Sequence, residues 1–192
     1  GLDKKYFKDL RTERKFIKFD WVVFPEINFE SEILMTLLEE VKNHTYYKDQ
    51  PFFSKKVIFD SIEYKLGVGG LHSVDTGTIF EETSTMSIID SDIASMYPTL
   101  AINHNIVPEH LGSKFMKSFR ELRDKRLKAK REGRKTENEC LKIVLNATIG
   151  KTLNKNIWLY DPIVNLKVTI NGQLYILMLI EQLVKHGFKV IS

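Results

Sequence analysis

The chain has 192 residues, 43% of them apolar, with a formal net charge of +4 and a single cysteine. That length and apolar content support one large domain or two small ones with a real core. An internal disulfide is excluded because Cys140 stands alone, which fits a reducing, cytosolic setting. No unbroken apolar run approaches the length of a bilayer span, so none is expected, and the charged opening GLDKKYFKD does not read as a signal peptide.

In chain order, LRTERKFIKFDWVVFPEINF reads as a strand with irregular edges. ESEILMTLLEEVKNH predicts an amphipathic helix whose apolar stripe is Ile33, Leu34, Leu37, Leu38 and Val41. KKVIFDSIEYKLGVGGLHSVDTG has strand character and then a glycine cluster at Gly67, Gly69 and Gly70. TSTMSIID, residues 83–90, reads as a strong strand, and TLAINHNIVPEHLG after Pro98 as a short helix and loop. Residues 113–132 form a long helix with Phe115, Phe119 and Leu122 on one stripe. EGRKT breaks it. A second helix is expected from Thr136 to about Gly150, opened by a Thr136-x-x-Glu139 capping box. The two helices make an antiparallel hairpin. WLYDPIVNLKVT reads as irregular or strand-like, NGQLYILMLIEQLVKH as a buried helix ended by Gly187, and FKVIS as the start of a strand. No repeat or low-complexity tract interrupts the chain.

The charge is unevenly placed. Residues 113–135 hold eleven Lys or Arg and three acids, a balance of +8, so the remainder carries −4. One basic element on an acidic body suggests a polyanionic partner met at one place.

The stretch IIDSDIASMYPT, residues 88–99, carries the strongest chemical signal. Asp90 and Asp92 stand where an apolar run stops, and paired carboxylates in such a place suit a divalent cation shared with substrate phosphates. Asp90-Ser-Asp92 alone is compatible with the Asp-x-Asp of a metal-dependent glycosyltransferase. The longer run Asp92-Ile-Ala-Ser95-Met-Tyr97-Pro98 resembles motif A of family B DNA polymerases, Asp-x-x-Ser-Leu-Tyr-Pro-Ser, with Met96 for Leu and Thr99 for the last Ser. Lys142-Ile-Val-Leu-Asn146-Ala-Thr-Ile-Gly150 resembles motif B, Lys-x-x-x-Asn-Ser-x-Tyr-Gly, with Ala147 and Ile149 as departures. Its i, i+4, i+8 spacing places Lys142, Asn146 and Gly150 on one helix face.

The resemblance implies an α+β fold: a polymerase palm with an antiparallel sheet flanked by helices, and a helical-hairpin fingers subdomain. Residues 1–112 would be the N-terminal segment and palm, 113–152 the fingers, and 153–192 the palm again, ending before motif C. It implies nucleotidyl transfer from a dNTP to a primer 3′ end by two metal ions, Mg2+ or Mn2+. Asp92 would be the first catalytic carboxylate, and the carbonyl of Ile93 would complete one metal site. The backbone at Ser95 and Met96 would meet the triphosphate. Tyr97 would lie under the sugar and exclude a 2′-hydroxyl. Arg126 and Lys130, which share a face with Arg123 while neighbouring Lys125 and Lys128 offer alternative registers, would face Lys142 across the hairpin and close on the phosphates, with Asn146 beside the nucleotide. Gly69 and Gly70 would approach the template strand, and Gly150 the base pair. His72 has no acid at useful spacing and receives no catalytic role. The implied partners are primer-template DNA, dNTP and a C-terminal part carrying motif C and thumb. No membrane partner is implied, and the setting is cytoplasmic, that of a bacterial host if the chain is phage-encoded. Without that part the chain alone is expected to be inactive. The non-enzymatic alternative is a nucleic-acid-binding fragment.

Overall fold

The computed structural model describes residues 10–48, 50, 53–74, 77 and 79–191; the charged opening and Ser192 lie outside them. The fold is α+β, with two small antiparallel sheets and five α-helices among the described residues. In the first sheet β1 (Phe16–Lys18) pairs with β2 (Thr45–Tyr47), Phe16 opposite Tyr47 and Lys18 opposite Thr45. A 3-10 turn at Phe19–Trp21, a loop and α1 (Glu32–Lys42) lie between them. Ser31 caps α1 by accepting the Leu34 N–H. The stripe Leu34, Leu37, Leu38 and Val41 is buried as its spacing requires, but Ile33 faces solvent.

The second sheet is a meander of β3 (Ser54–Phe59), β4 (Ile62–Gly67) and β5 (His72–Val74). Asp60 and Ser61 close the first hairpin with φ of 48° and 67°, the left-handed pair that a two-residue turn between twisted strands needs. Four helices follow: α2 (Met96–Asn103), α3 (Gly112–Arg131), α4 (Lys135–Lys151) and α5 (Pro162–Lys185). The expected α3–α4 hairpin is present, turned at Gly133 with φ 70°. α2 packs on α3, α4 and α5.

α5 is the core. Val164, Leu166, Val168, Ile170, Leu174, Leu177 and Ile180 are buried along it in one cluster with α1, α2 and both sheets. Helix α5 is long and apolar enough to cross a bilayer, with a mean hydropathy of 1.5 over its best window, yet 67% of that window is buried in the protein.

Four expectations are corrected. Residues 83–90 form no strand; only an isolated Thr83–Met86 bridge is present there, and Ile89 is 78% exposed. A strand is held by a neighbour's N–H and C=O groups, and the described residues place none beside this stretch. Phe188–Ile191 likewise joins no ladder among the described residues. The capping box is not used: α4 begins at Lys135, and the Arg134 side chain instead pairs with Glu132 and Glu137. The stretch 162–170 is helical. Pro162 opens α5, and Thr169, Asn171 and Gln173 satisfy their polar groups by bonding back to the carbonyls of Asn165, Lys167 and Thr169.

Candidate functional site

Asp90, Asp92 and Ile93 all lie in exposed, non-ladder backbone just before α2. Ser95 then turns into the left-handed region, φ 54° and ψ 37°, and its carbonyl accepts the first helical bond from Thr99 N–H at 2.9 Å. Such a turn costs a non-glycine residue on the order of 1 kcal/mol and persists only when held. What holds it is Arg126 of α3, whose guanidinium donates to the Ser95 hydroxyl. Arg126 is 8% exposed, and its Nε has no hydrogen-bond partner among the described residues.

Met96 and Tyr97 follow as the first turn of α2, which crosses α5 at Gly172. A Cβ at Gly172 would stand 2.7 Å from Met96 Cε and 3.0 Å from Tyr97 Cε1, so a larger residue there would make the Met96 tip move and crowd the Tyr97 ring. On its other side the Tyr97 hydroxyl would lie 3.3 Å from a Cβ at Gly70. Tyr97 is thus wedged between the glycine turn and α5, and burial pushes its phenol pKa up. The turn is itself fixed to α5: Gln173 Oε1 accepts from Gly67 N–H at 2.8 Å, and Gln173 Nε2 donates to Gly67 C=O at 2.6 Å. One side-chain amide therefore occupies both backbone groups of Gly67, as a neighbouring strand would. Gly69 and Gly150 are open, with no atom within 4 Å of an added Cβ.

The expected cation row divides. Arg126 points inward to Ser95, while Lys130 is exposed and Arg123 turns to Asp124 at 2.7 Å. Lys142, Asn146 and Gly150 share one exposed face of α4, as their spacing implies. Ile149 is 4% exposed and belongs to the core, so the position that resembles a motif B tyrosine does not reach that face. The structure therefore brings Ser95, Arg126, Tyr97 and Gly70 into one constellation around the start of α2. Asp92 stands before it on the exposed stretch. Among the described residues no three His, Cys, Asp or Glu groups come together as a metal site. Asp90 and Asp92, alternating along exposed backbone, do not by themselves make a two-ion centre.

Sequence reasoning missed the polar residues that anchor this region. Asn171, fully buried, accepts from Phe24 N–H at 2.7 Å and donates to Val22 C=O at 2.8 Å. Glu181 accepts the N–H groups of Glu30 and Ser31 at the start of α1. Asp161, fully buried before α5, accepts two bonds from Arg14, at 2.8 and 3.2 Å, and one from Glu109 N–H at 3.1 Å. The Asp161 carboxylate in turn raises the Arg14 pKa. The available signal was the triplet Asn171-Gly172-Gln173 in an otherwise apolar stretch: three uncharged polar or small residues there announce buried backbone contacts. No family model matches the chain, and no curated protein or solved structure matches it either.

Proposed function

We propose that this chain is the palm-and-fingers portion of a family B-type DNA polymerase, acting in the cytoplasm on dNTP and primer-template DNA with magnesium or manganese. The observation that carries the reading is Arg126. It is a buried arginine, rooted in the basic helix, that ends at the turn between Asp92 and Tyr97 with a neutral hydroxyl as its partner. A buried guanidinium without a carboxylate, beside the N-terminus of α2, suits an oxyanion such as a triphosphate oxygen. Asp92 and the Ile93 carbonyl would offer one side of a metal site whose remaining carboxylate comes from a further segment of polypeptide. The metal would supply charge neutralisation at the phosphates. The chain's own residues hold and orient: Arg126 and Lys142 the phosphates, Met96 N–H and Ser95 a phosphate oxygen, Tyr97 the sugar, Asn146 the nucleotide edge. Lys130 adds charge at the end of the hairpin, and Gly69 and Gly150 leave room for DNA, while Gly70 is turned toward the Tyr97 hydroxyl.

The test is a titration of the 192-residue chain with a fluorescent deoxynucleoside triphosphate. Lys142→Ala should weaken binding about ten- to a hundredfold, the loss of one charge-assisted bond of about 1.5–3 kcal/mol. Its melting temperature should stay unchanged, because Lys142 is exposed. Arg126→Ala should weaken binding and also lower the melting temperature, since it leaves the Ser95 hydroxyl unbonded. Unaltered affinity in Lys142→Ala would remove the nucleotide reading.

Tyr97 supplies a second expected outcome, read with the chain supplemented by a polypeptide that carries the second metal carboxylate. Tyr97→Ala should raise ribonucleotide incorporation relative to deoxynucleotide, because removing the ring opens space beneath the sugar and leaves Asp92 in place. The deoxy-to-ribo ratio is the quantity to measure. An unchanged ratio would make Tyr97 a packing residue only, held by Gly70 and Gly172.

A further inference from the structure

The β1–β2 ribbon has two unlike faces. Ile17 is fully buried and Tyr46 half-buried on the inner one. On the outer one stand Phe16, Tyr47 and, from the adjoining 3-10 turn, Trp21, which are 43%, 49% and 50% exposed. The rings are clustered rather than scattered: Phe16 lies 5.8 Å from Trp21 and 6.4 Å from Tyr47, tilted by 41° and 44°. Lys18, opposite Thr45 on the same face, places its ammonium 5.8 Å from the Trp21 ring. Lys15, next to Phe16 in the chain, is exposed, and Glu13 is already paired with Lys48 at 2.8 Å. Asp20 is the only acid from Lys15 to Trp21. Large flat apolar groups are costly to leave in water, and a bare hydrophobic contact would gain nothing from interleaved amines.

We propose that this ribbon face is a stacking platform for single-stranded nucleic acid. Bases would lie on Trp21, Tyr47 and Phe16, and Lys18 and Lys15 would meet the phosphates. The chemistry is that of sequence-tolerant single-strand binding, in which every base offers a π-face and the cations follow the backbone. A purely apolar partner would not account for the Lys18 ammonium over the Trp21 ring, whereas a polyanion with exposed bases accounts for both. The inference stands apart from the Arg126–Ser95–Tyr97 constellation and does not need it.

The chain contains two tryptophans, so Trp158→Phe leaves Trp21 as the sole indole reporter. In that background a fifteen-nucleotide oligothymidylate should quench Trp21 emission, and the same length of blunt duplex should quench it far less. Tyr47→Ala and Phe16→Ala should each raise the dissociation constant about tenfold. Lys18→Gln should weaken binding and flatten its salt dependence. Circular dichroism should show each variant folded, which the exposure of these side chains favours. Absence of quenching by the single strand would overturn the proposal, as would equal quenching by duplex. So would single-strand binding, followed by anisotropy, that the ribbon variants leave unchanged. Self-association of the chain that Trp21→Ala abolishes, without an effect on oligothymidylate, would assign the face to a second copy and overturn it equally.

Discussion

A primed template given the 192-residue chain, four dNTPs and magnesium should stay unextended, and extension should appear when a polypeptide carrying the second metal carboxylate is added. The reasoning is chemical. Two-ion nucleotidyl transfer needs acids that fix both ion positions, and the described residues bring no third acid to Asp90 and Asp92. In the completed enzyme Asp92→Asn should lower the turnover number by roughly a thousandfold or more, the equivalent of the several kcal/mol that metal-held charge stabilisation supplies. Binding of primer-template DNA should persist in that variant, because the basic helix α3 is untouched. Asp90→Asn should cost far less, which separates the polymerase reading from one built on an Asp-x-Asp pair. Robust extension by the chain alone would refute the need for a second carboxylate from another polypeptide, and an Asp92→Asn enzyme that retains its turnover would sink the assignment of Asp92.

The largest stability change is expected at Asp161→Ala. This carboxylate is fully buried and receives three bonds, two from Arg14 and one from Glu109 N–H. Deleting it leaves a half-buried guanidinium with Glu109 as its remaining carboxylate, at 2.9 Å and on the exposed side. Breaking a buried pair from one side costs about 3–5 kcal/mol; the surviving contact to Glu109 argues for the lower end, about 3. For a chain of this length that corresponds to a fall in melting temperature of roughly 6–12 °C. Thermal denaturation of Asp161→Ala, Arg14→Ala and the double variant gives the coupling. A double variant as damaging as the sum of the singles would mean the pair is not acting as one unit.

The helices were readable because their apolar spacing follows the 3.6-residue period. Leu34, Leu37, Leu38 and Val41 bury together, the basic hairpin forms, and Gly187 with φ 82° follows the last turn of α5. The first two turns of α5 were not readable, because Asn165 and Thr169 interrupt the apolar pattern. The Thr169 hydroxyl is satisfied along the helix itself and the Asn165 amide N–H reaches only the distant Ile149 carbonyl at 3.5 Å, contacts that local periodicity does not register. Residues 83–90 show the opposite failure. Their β-branched and apolar residues suit a strand, but strand formation depends on a pairing partner that a one-dimensional pattern cannot supply. At the site, the spacing of Lys142, Asn146 and Gly150 correctly placed them on one face. The inward turn of Arg126 required knowing that α2 lies against α3.

The side-chain amides and carboxylate of α5 also bear on the order in which the protein is made. Asn171 reaches Val22 and Phe24, Glu181 reaches Glu30 and Ser31, and Gln173 reaches Gly67, across separations of 149, 147, 151, 150 and 106 residues. None of these bonds exists until residues 162–185 have left the ribosome. The first half of the chain therefore emerges without the groups that satisfy its loops, and loop closure over such distances is slow relative to local helix formation. The nascent N-terminal half must wait, exposed to proteases and holding chaperones, until one late helix arrives and closes five distant contacts together.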